Sequence, residues 1–478
     1  MNILDVCYAT ATNLRELYQT RQLSPVEVLR ALLDHVEVVE PDVNAFVTKT
    51  PDLAIKQARA AEAAYGSAKS AASPPALAGI PVTLKDLTVT RGIRTTRGSL
   101  LYKDWVPDYD APVVERLSEA GAVLLGKTNT PEFGWKGDTS NRVVGSTHNP
   151  WRHGRTAGGS SGGAAAAVAA GFGPIAQGSD GAGSVRIPAC MCGVYGLKPS
   201  WSLIPQYPAS PVELLSHLGP LTRSVSDAAC MLTVMAGSDV RDRCSLPNDI
   251  DFTSALKKEE DLTGLKVAWS PDLGYAAVNP EVGKAVAVAA KRFEELGCDI
   301  VEDHPTLEDP WHTVVDVLWS TAFAGLFWSD LESTRDSLDP GLLEVIMAGS
   351  KVSGPEIGIA HGSRAEYYHA WQRFMEHYDL VLTPTLPVTA FPAGDHHPGH
   401  INETITSYLS WTAFTYPFNI TGQPAATVPC GFVDGLPVGL QIVGRWRDDV
   451  TVLRASAAFE RLAPWAHVRP SFDFRNDD

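Results

Sequence analysis

Between Gly158 and Ala189 the chain is made almost entirely of small residues, broken by two serines that each sit among glycines. The stretch opens Gly158-Gly159-Ser160-Ser161-Gly162-Gly163 and runs through an Ala-rich segment. It closes on Asp180-Gly181-Ala182-Gly183-Ser184-Val185-Arg186-Ile187-Pro188-Ala189. The pattern predicts a Gly-rich turn, a helix over 161–170, a buried strand over 175–178 and a second Gly-rich turn. Glycine has no Cβ, so backbone N–H groups in such turns can approach a ligand closely. Donors placed that way can hold an oxyanion, and a serine beside them becomes a nucleophile once a base takes its proton. Ser160 and Ser184 lie 24 positions apart, and a lone lysine stands upstream in Val82-Thr83-Leu84-Lys85-Asp86. Together these residues point to acyl transfer, in its simplest form the hydrolysis of an amide.

The alternation of short apolar runs with helical patterns extends through the chain. Residues 80–84, 122–125, 175–178, 265–269, 380–382, 425–428 and 439–443 read as buried strands. Residues 111–120, 161–170, 225–235 and 280–296 read as helices. Such alternation predicts an α/β fold whose sheet is largely covered. The N-terminus is predicted helical: Leu14, Leu17 and Tyr18 share one face, and Ser24-Pro25-Val26-Glu27 supplies a capping box before the next helix. A further helix is expected over 51–65 and a small-residue loop over 67–75. The strand pattern resumes after residue 379, with no internal repeat and no linker. A single domain over 1–478 is therefore expected, with N-terminal helices to 65, a core at 75–205, a variable helical region at about 303–410, and a return to the sheet at 420–478. The helical region carries Trp311, Trp319, Phe323, Phe327, Trp328, Tyr367, Tyr368 and Trp371. These read as helix-to-sheet packing or as a pocket wall.

Composition removes several classes of function. With 39 basic against 55 acidic residues the net charge is −16, which disfavours binding to nucleic acid or an anionic membrane. No stretch of about 20 apolar residues could span a bilayer, and Met1–Thr12 lacks a secretory pattern. Seven cysteines, an odd number, do not make a disulfide framework. Reduced thiols suit the cytoplasm, and a cytoplasmic protein is expected. Cys190 and Cys192 have no further ligands at metal spacing. The turn-rich Gly394-Asp395-His396-His397-Pro398-Gly399-His400 reads as an exposed loop. No metal and no cofactor are expected.

The usual base for a serine is histidine, but only His148 and His153 stand near this segment, flanking Pro150. A lysine serves if neutral. Its ordinary pKa is about 10.4, and burial lowers it; Lys85 follows an apolar strand, where it would be desolvated, but taken alone it reads as a lysine that reaches solvent or pairs with Asp86. Gly159-Ser160-Ser161-Gly162-Gly163 also fits Gly-x-Ser-x-Gly with Ser161 as nucleophile. That motif requires a preceding strand, and Trp151–Thr156 reads as a polar loop. A phosphate loop lacks its Gly-Lys-Ser/Thr.

Lys85, the Gly159–Gly163 run and Gly183-Ser184-Val185-Arg186-Ile187-Pro188-Ala189 together resemble the amidase signature family, the Ser–cisSer–Lys hydrolases. Asn149-Pro150-Trp151, Gly196-Leu197-Lys198-Pro199-Ser200 and Gly435–Gly444 extend the resemblance along nearly the whole chain. It implies a central mixed β-sheet covered by helices on both faces, with a helix-rich substrate-pocket region. It implies Ser184 as nucleophile and Ser160, in a cis peptide, relaying its proton to Lys85. A cap before the Ala-rich helix is a second role that divides between Ser160 and Ser161. The oxyanion would be held by the N–H groups of Gly181, Ala182, Gly183 and Ser184. Ala182 stands where the family commonly has glycine, and places a methyl near the acyl site. Ser161, Asp180 and Arg186 are implied supports, and Gly134 and Trp135 pocket residues, with Trp135 reading equally well as a core tryptophan. Trp135, the aromatic helical region and Tyr416-Pro417-Phe418-Asn419 favour aryl or alkyl amides; carbamates and esters share the chemistry. The implied partners are a small amide-type substrate and water, with no nucleic acid and no membrane, in a monomer or homodimer. The alternative is a glutaminase subunit of a tRNA-dependent amidotransferase, which typically carries Gln where Ile187 stands.

Overall fold

Eleven strands form one mixed sheet that draws on both halves of the chain. The computed structural model describes residues 3–67, 74–258 and 261–472. The strands are β1 (Phe46–Lys49), β2 (Pro81–Lys85), β3 (Val123–Thr128), β4 (Ile175–Asp180), β5 (Tyr195–Lys198), β6 (His217–Thr222), β7 (Lys266–Trp269), β8 (Asp299–Glu302), β9 (Leu380–Pro384), β10 (Ala425–Val433) and β11 (Leu436–Gly444). Their order across the sheet is β1-β3-β2-β4-β6-β5-β10-β11-β9-β7-β8. β3, β2 and β4 run parallel, as do β9, β7 and β8, while the centre is antiparallel.

Successive side chains of a strand point to opposite faces, and here each face has its own core. Leu124, Leu380, Leu382 and Ile442 enter one apolar cluster with the helices Val225–Met235, Pro280–Lys291 and Asp449–Leu462. Val123 and Leu125 face a second cluster around Ala164–Ala170, and Val381 and Val443 face a third among the aromatics of 311–420. Helices thus cover both faces, as an α/β fold of this kind requires.

The N-terminal helix Pro25–Val43 begins on the predicted capping box: Ser24 accepts from the Glu27 N–H and the Glu27 carboxylate from the Ser24 N–H. Helix Pro51–Ser67 follows, and most of the expected loop over 67–75 lies outside the described residues. Helix Gly162–Ala169 is buried at every position and packs on β2, β3 and β4. Only side chains this small allow so close an approach to the sheet. Four strands, β1, β5, β6 and β8, go beyond the expected set.

One expectation is corrected. Arg152–Thr156 is a strand rather than a loop, but it lies outside the central sheet, pairing with His148–Asn149 and, through an antiparallel bridge from Arg155, with Pro392. Its mostly exposed polar residues give it no apolar pattern, and Asn149 holds the hairpin by donating to the Thr156 carbonyl at 3.0 Å.

Candidate active site

Parallel neighbours end at the same sheet edge, and that edge gathers the polar residues. β2 and β4 pair in parallel, with Leu84 opposite Gln177. Lys85 at the end of β2 therefore meets Ser179 and Asp180 at the end of β4. Crevices outside the carboxyl ends of parallel strands are favoured ligand sites. The N-terminal end of helix Gly162–Ala169 brings Ser160 and Ser161 to the same place.

Lys85 is fully buried. Its Nζ lies 2.7 Å from Ser160 Oγ, 3.0 Å from Ser161 Oγ and 3.0 Å from Ser179 Oγ. It is neither solvated nor paired with Asp86, whose carboxylate instead accepts from Thr96 and faces Lys127 Nζ at 3.7 Å. Burial pulls Lys85 down to about 7, against the opposing pull of the Asp180 charge. Desolvation penalises the ammonium, and the Asp180 charge does not offset it. The Gly159–Ser160 peptide is cis.

Ser161 occupies the cap position of the helix but makes no capping hydrogen bond. Its hydroxyl donates to the Ser179 carbonyl at 3.1 Å and accepts from the Ser179 N–H at 3.2 Å and from Lys85. The expected division into relay and cap is corrected: neither serine's side chain caps the helix, since both are engaged around Lys85.

Ser184 lies on the turn between β4 and helix Arg186–Cys192. The shape of this turn is set by Asp180. Its carboxylate accepts from the N–H groups of Gly183 at 2.7 Å, Val185 at 3.2 Å and Arg186 at 3.4 Å, and from Arg186 Nε and Nη2 at 3.0 and 2.9 Å. Burial alone would raise the Asp180 carboxyl, but the Arg186 guanidinium holds it well below the usual carboxylate range. Arg186 in turn donates to Gln441 at 2.8 Å and to Asn419 at 2.7 Å. Asn419 closes the ring with bonds to the Asp180 carbonyl and carboxylate, both 2.9 Å.

Gly183 has φ +122°, and a Cβ there would fall 2.3 Å from Thr415 Oγ1, so only glycine fits. Because its N–H is taken by Asp180, Gly183 is not free to face an oxyanion; this corrects the expected set. The N–H groups of Gly181, Ala182 and Ser184 remain.

A cavity of about 160 Å³ opens at this edge, lined among others by Ser160, Ser179, Gly181, Ser184, Gly134 and Phe133. Ser161 does not line it. Gly134 lies against Ser160: a Cβ there would sit 3.0 Å from Ser160 Oγ. Trp135 is corrected as a pocket residue. It is 1% exposed and packs on His396 and Tyr408, with ring centres 5.1 and 5.8 Å away. Phe133, at φ 51° in the turn Glu132–Gly134, lines the cavity in its place. Ala182 is likewise buried among the aromatics and does not line the cavity, so its methyl does not narrow it. Tyr416 and Phe418 are core residues, and of the helical region Trp319 and Leu326 reach the cavity.

Sequence reasoning missed Ser179, Thr415 and Gln441, and placed Asn419 near the substrate instead of behind the Ser184 turn. Thr415 Oγ1 donates to the Ala182 carbonyl at 2.7 Å. The available signal for Asn419 and Gln441 was an amide side chain within otherwise apolar C-terminal stretches, where a buried polar group needs a partner. Among the described residues no His, Cys, Asp or Glu cluster could hold a metal. No single helix among them is long and apolar enough to cross a membrane.

The Amidase family matches residues 27–453 of the chain. An acylamidase of Rhodococcus erythropolis is 42% identical over 470 residues, spanning 97% of each chain. One subunit of the glutamyl-tRNA(Gln) amidotransferase of Moorella thermoacetica is 37% identical over 493 residues, 98% of this chain and 99% of that protein. The crystal structure of a bacterial aryl acylamidase of the amidase signature enzymes superposes with a TM-score of 0.89 at 32% identity, covering 96% of this chain and 97% of that one. The protein is therefore an amide-hydrolysing enzyme. It belongs to the amidase signature family.

Proposed function

We propose that the enzyme cleaves linear aryl or alkyl amides through an acyl-enzyme on Ser184, with Ser160 and Lys85 as its proton relay. The observation that carries this reading is the buried Lys85 amine, 2.7 Å from Ser160 Oγ, behind a cavity that Ser160 and Ser184 both line.

A neutral amine has two N–H donors and one lone pair. Ser161 already spends its own proton on the Ser179 carbonyl, so towards Lys85 it only accepts. The lone pair is then best used by the Ser160 hydroxyl, at the shortest of the three distances. Ser160 passes its proton to Lys85 and takes one from Ser184 as Ser184 Oγ attacks the carbonyl. The N–H groups of Gly181 and Ser184, which line the cavity, supply donors for the oxyanion. The proton returns along the relay to the leaving nitrogen, since an amide anion is too basic to leave. Water then cleaves the ester by the same steps. Carbamates and esters pass through the same tetrahedral chemistry and are accepted on this reading.

The relay fixes a pH dependence. Lys85 must be neutral to accept a proton, and burial sets its pKa at about 7. Log kcat/KM is expected to rise with slope one below pH 7 and to level off above it. A profile already flat at pH 5 would remove Lys85 as the base.

The function is tested with an aryl anilide, a primary amide, glutamine, an aryl ester and an aryl carbamate. Turnover of the anilide or the primary amide is expected. The 37% identical amidotransferase relative favours a second reading, a partner-dependent glutaminase. Turnover of glutamine alone, rising on addition of partner subunits, would select it.

A further inference from the structure

Arg97 is the one charged residue among the described residues that line the cavity. Its backbone is in the left-handed region at φ 55°, uncommon for a residue with a side chain. It is held from both sides: its N–H donates to the Asp86 carbonyl at 3.2 Å, and its carbonyl accepts from the Phe133 N–H at 2.8 Å. Arg97 is thereby fixed between the strand end that carries Lys85 and the turn that carries Phe133 and Gly134. Its guanidinium carbon lies 5.1 Å from the centre of the Tyr102 ring and 5.0 Å from that of Trp105. A cation–π contact of this kind takes no hydrogen-bond acceptor and so leaves the N–H donors available.

Those donors make no hydrogen bond or ion pair among the described residues. The contrast with other arginines is sharp. Arg94 donates to the Lys103 and Val47 carbonyls, Arg142 to those of Asp336 and Leu338, and Arg186 is bonded through all its nitrogens. Among the described residues no acidic one lines the cavity to neutralise Arg97. Its other walls are largely apolar, including Leu87, Val89, Val212 and Leu326. A dry cavity of about 150 Å³ accommodates a benzene ring, so the space suits an aryl or short alkyl spacer.

We infer that the substrates are amides that carry a carboxylate remote from the scissile bond, bound by Arg97. The inference rests on the reading of this cavity as the site of amide cleavage. Guanidinium and carboxylate match as paired hydrogen-bonding planes, and the Tyr102 and Trp105 rings hold the guanidinium in place.

Two substrate pairs differ only in charge: 4-acetamidobenzoate against 4-acetamidobenzamide, and succinanilic acid against its primary amide. The first carries the carboxylate on the amine arm, the second on the acyl arm. Binding is measured by calorimetry on the Ser184→Ala protein, and kcat/KM on the wild type. In at least one pair the carboxylate is expected to bind roughly tenfold more tightly, as a hydrogen bond to a charged group allows. The advantage should shrink with added salt, vanish in Arg97→Leu and persist in part in Arg97→Lys. Equal binding within both pairs would overturn the inference, as would a preference that survives Arg97→Leu. Should Arg97→Leu not fold, Arg97→Gln takes its place with the same expected loss. A binding preference without turnover of any member would count against the cleavage reading and leave the Arg97 subsite standing. Turnover of the neutral members with no preference would overturn the subsite alone.

Discussion

Ser184→Ala is expected to lower kcat by about 10⁶-fold while substrate still binds. Residues that act as one nucleophilic unit give losses of roughly this size, and their losses do not add. Lys85→Met should therefore cost nearly as much as Ser184→Ala, and the double variant little more than either. The relay is the reason: without Ser184 there is no acceptor for the acyl group, and without Lys85 there is nothing to take its proton. The measurement is single-turnover hydrolysis of the best substrate from the panel, with binding followed by calorimetry. Lys85→Met retaining more than a tenth of wild-type kcat would show that the buried amine is not the base. Additive losses in the double variant would show that the two residues act separately.

Arg186→Met should cost about 3–5 kcal/mol of stability, the usual consequence of removing one partner of a buried ion pair. Asp180 would then keep its backbone donors and Asn419 but lose both guanidinium bonds. The sign of the pH dependence follows. In the wild type the Asp180 pKa is depressed by Arg186. Its contribution is thus present above the unfolded value of about 3.9 and is lost as pH falls towards the lower folded value. In the variant, burial raises that carboxyl, so the penalty is greatest at neutral pH and shrinks as acid protonates it. Urea unfolding at pH 7 and pH 4.5 checks this. Asp180→Asn combined with Arg186→Met should recover part of the loss, because no unpaired charge remains. A single variant as stable as the wild type at pH 7 would refute the assigned role of the pair.

What could be read from the sequence depended on where each signal lay. Strands such as Pro81–Lys85 and Leu380–Pro384 are buried throughout, so they stand out as apolar runs. His217–Thr222 is just as central, but Gly219 and Pro220 interrupt it, and both normally weaken a strand assignment. Asp299–Glu302 lies at the sheet edge and is mostly exposed, so no apolar run marks it. The grouping of Lys85, Ser160 and Ser184 at one sheet edge was legible because their glycine and strand surroundings are local. The choice of Phe133 over Trp135 as pocket wall was not, since it turns on one backbone angle at Phe133. Nor was the loss of the Gly183 N–H to Asp180, which depends on how the turn closes. Asn419 and Gln441 reach Arg186 from 233 and 255 positions away, a separation that no spacing rule spans.

That separation bears on how the enzyme comes into being during synthesis. By the time residue 300 has been made, Lys85, Ser160 and Ser184 are all present. The Arg186 guanidinium, however, still lacks the amide groups of Asn419 and Gln441, and β5 lacks β10 as its neighbour. The turn that carries Ser184 acquires its full set of bonds only when the last strands join the sheet. The groups proposed for catalysis are thus translated early and aligned late, so a ribosome-bound fragment carries the residues without the full set of bonds around the Ser184 turn.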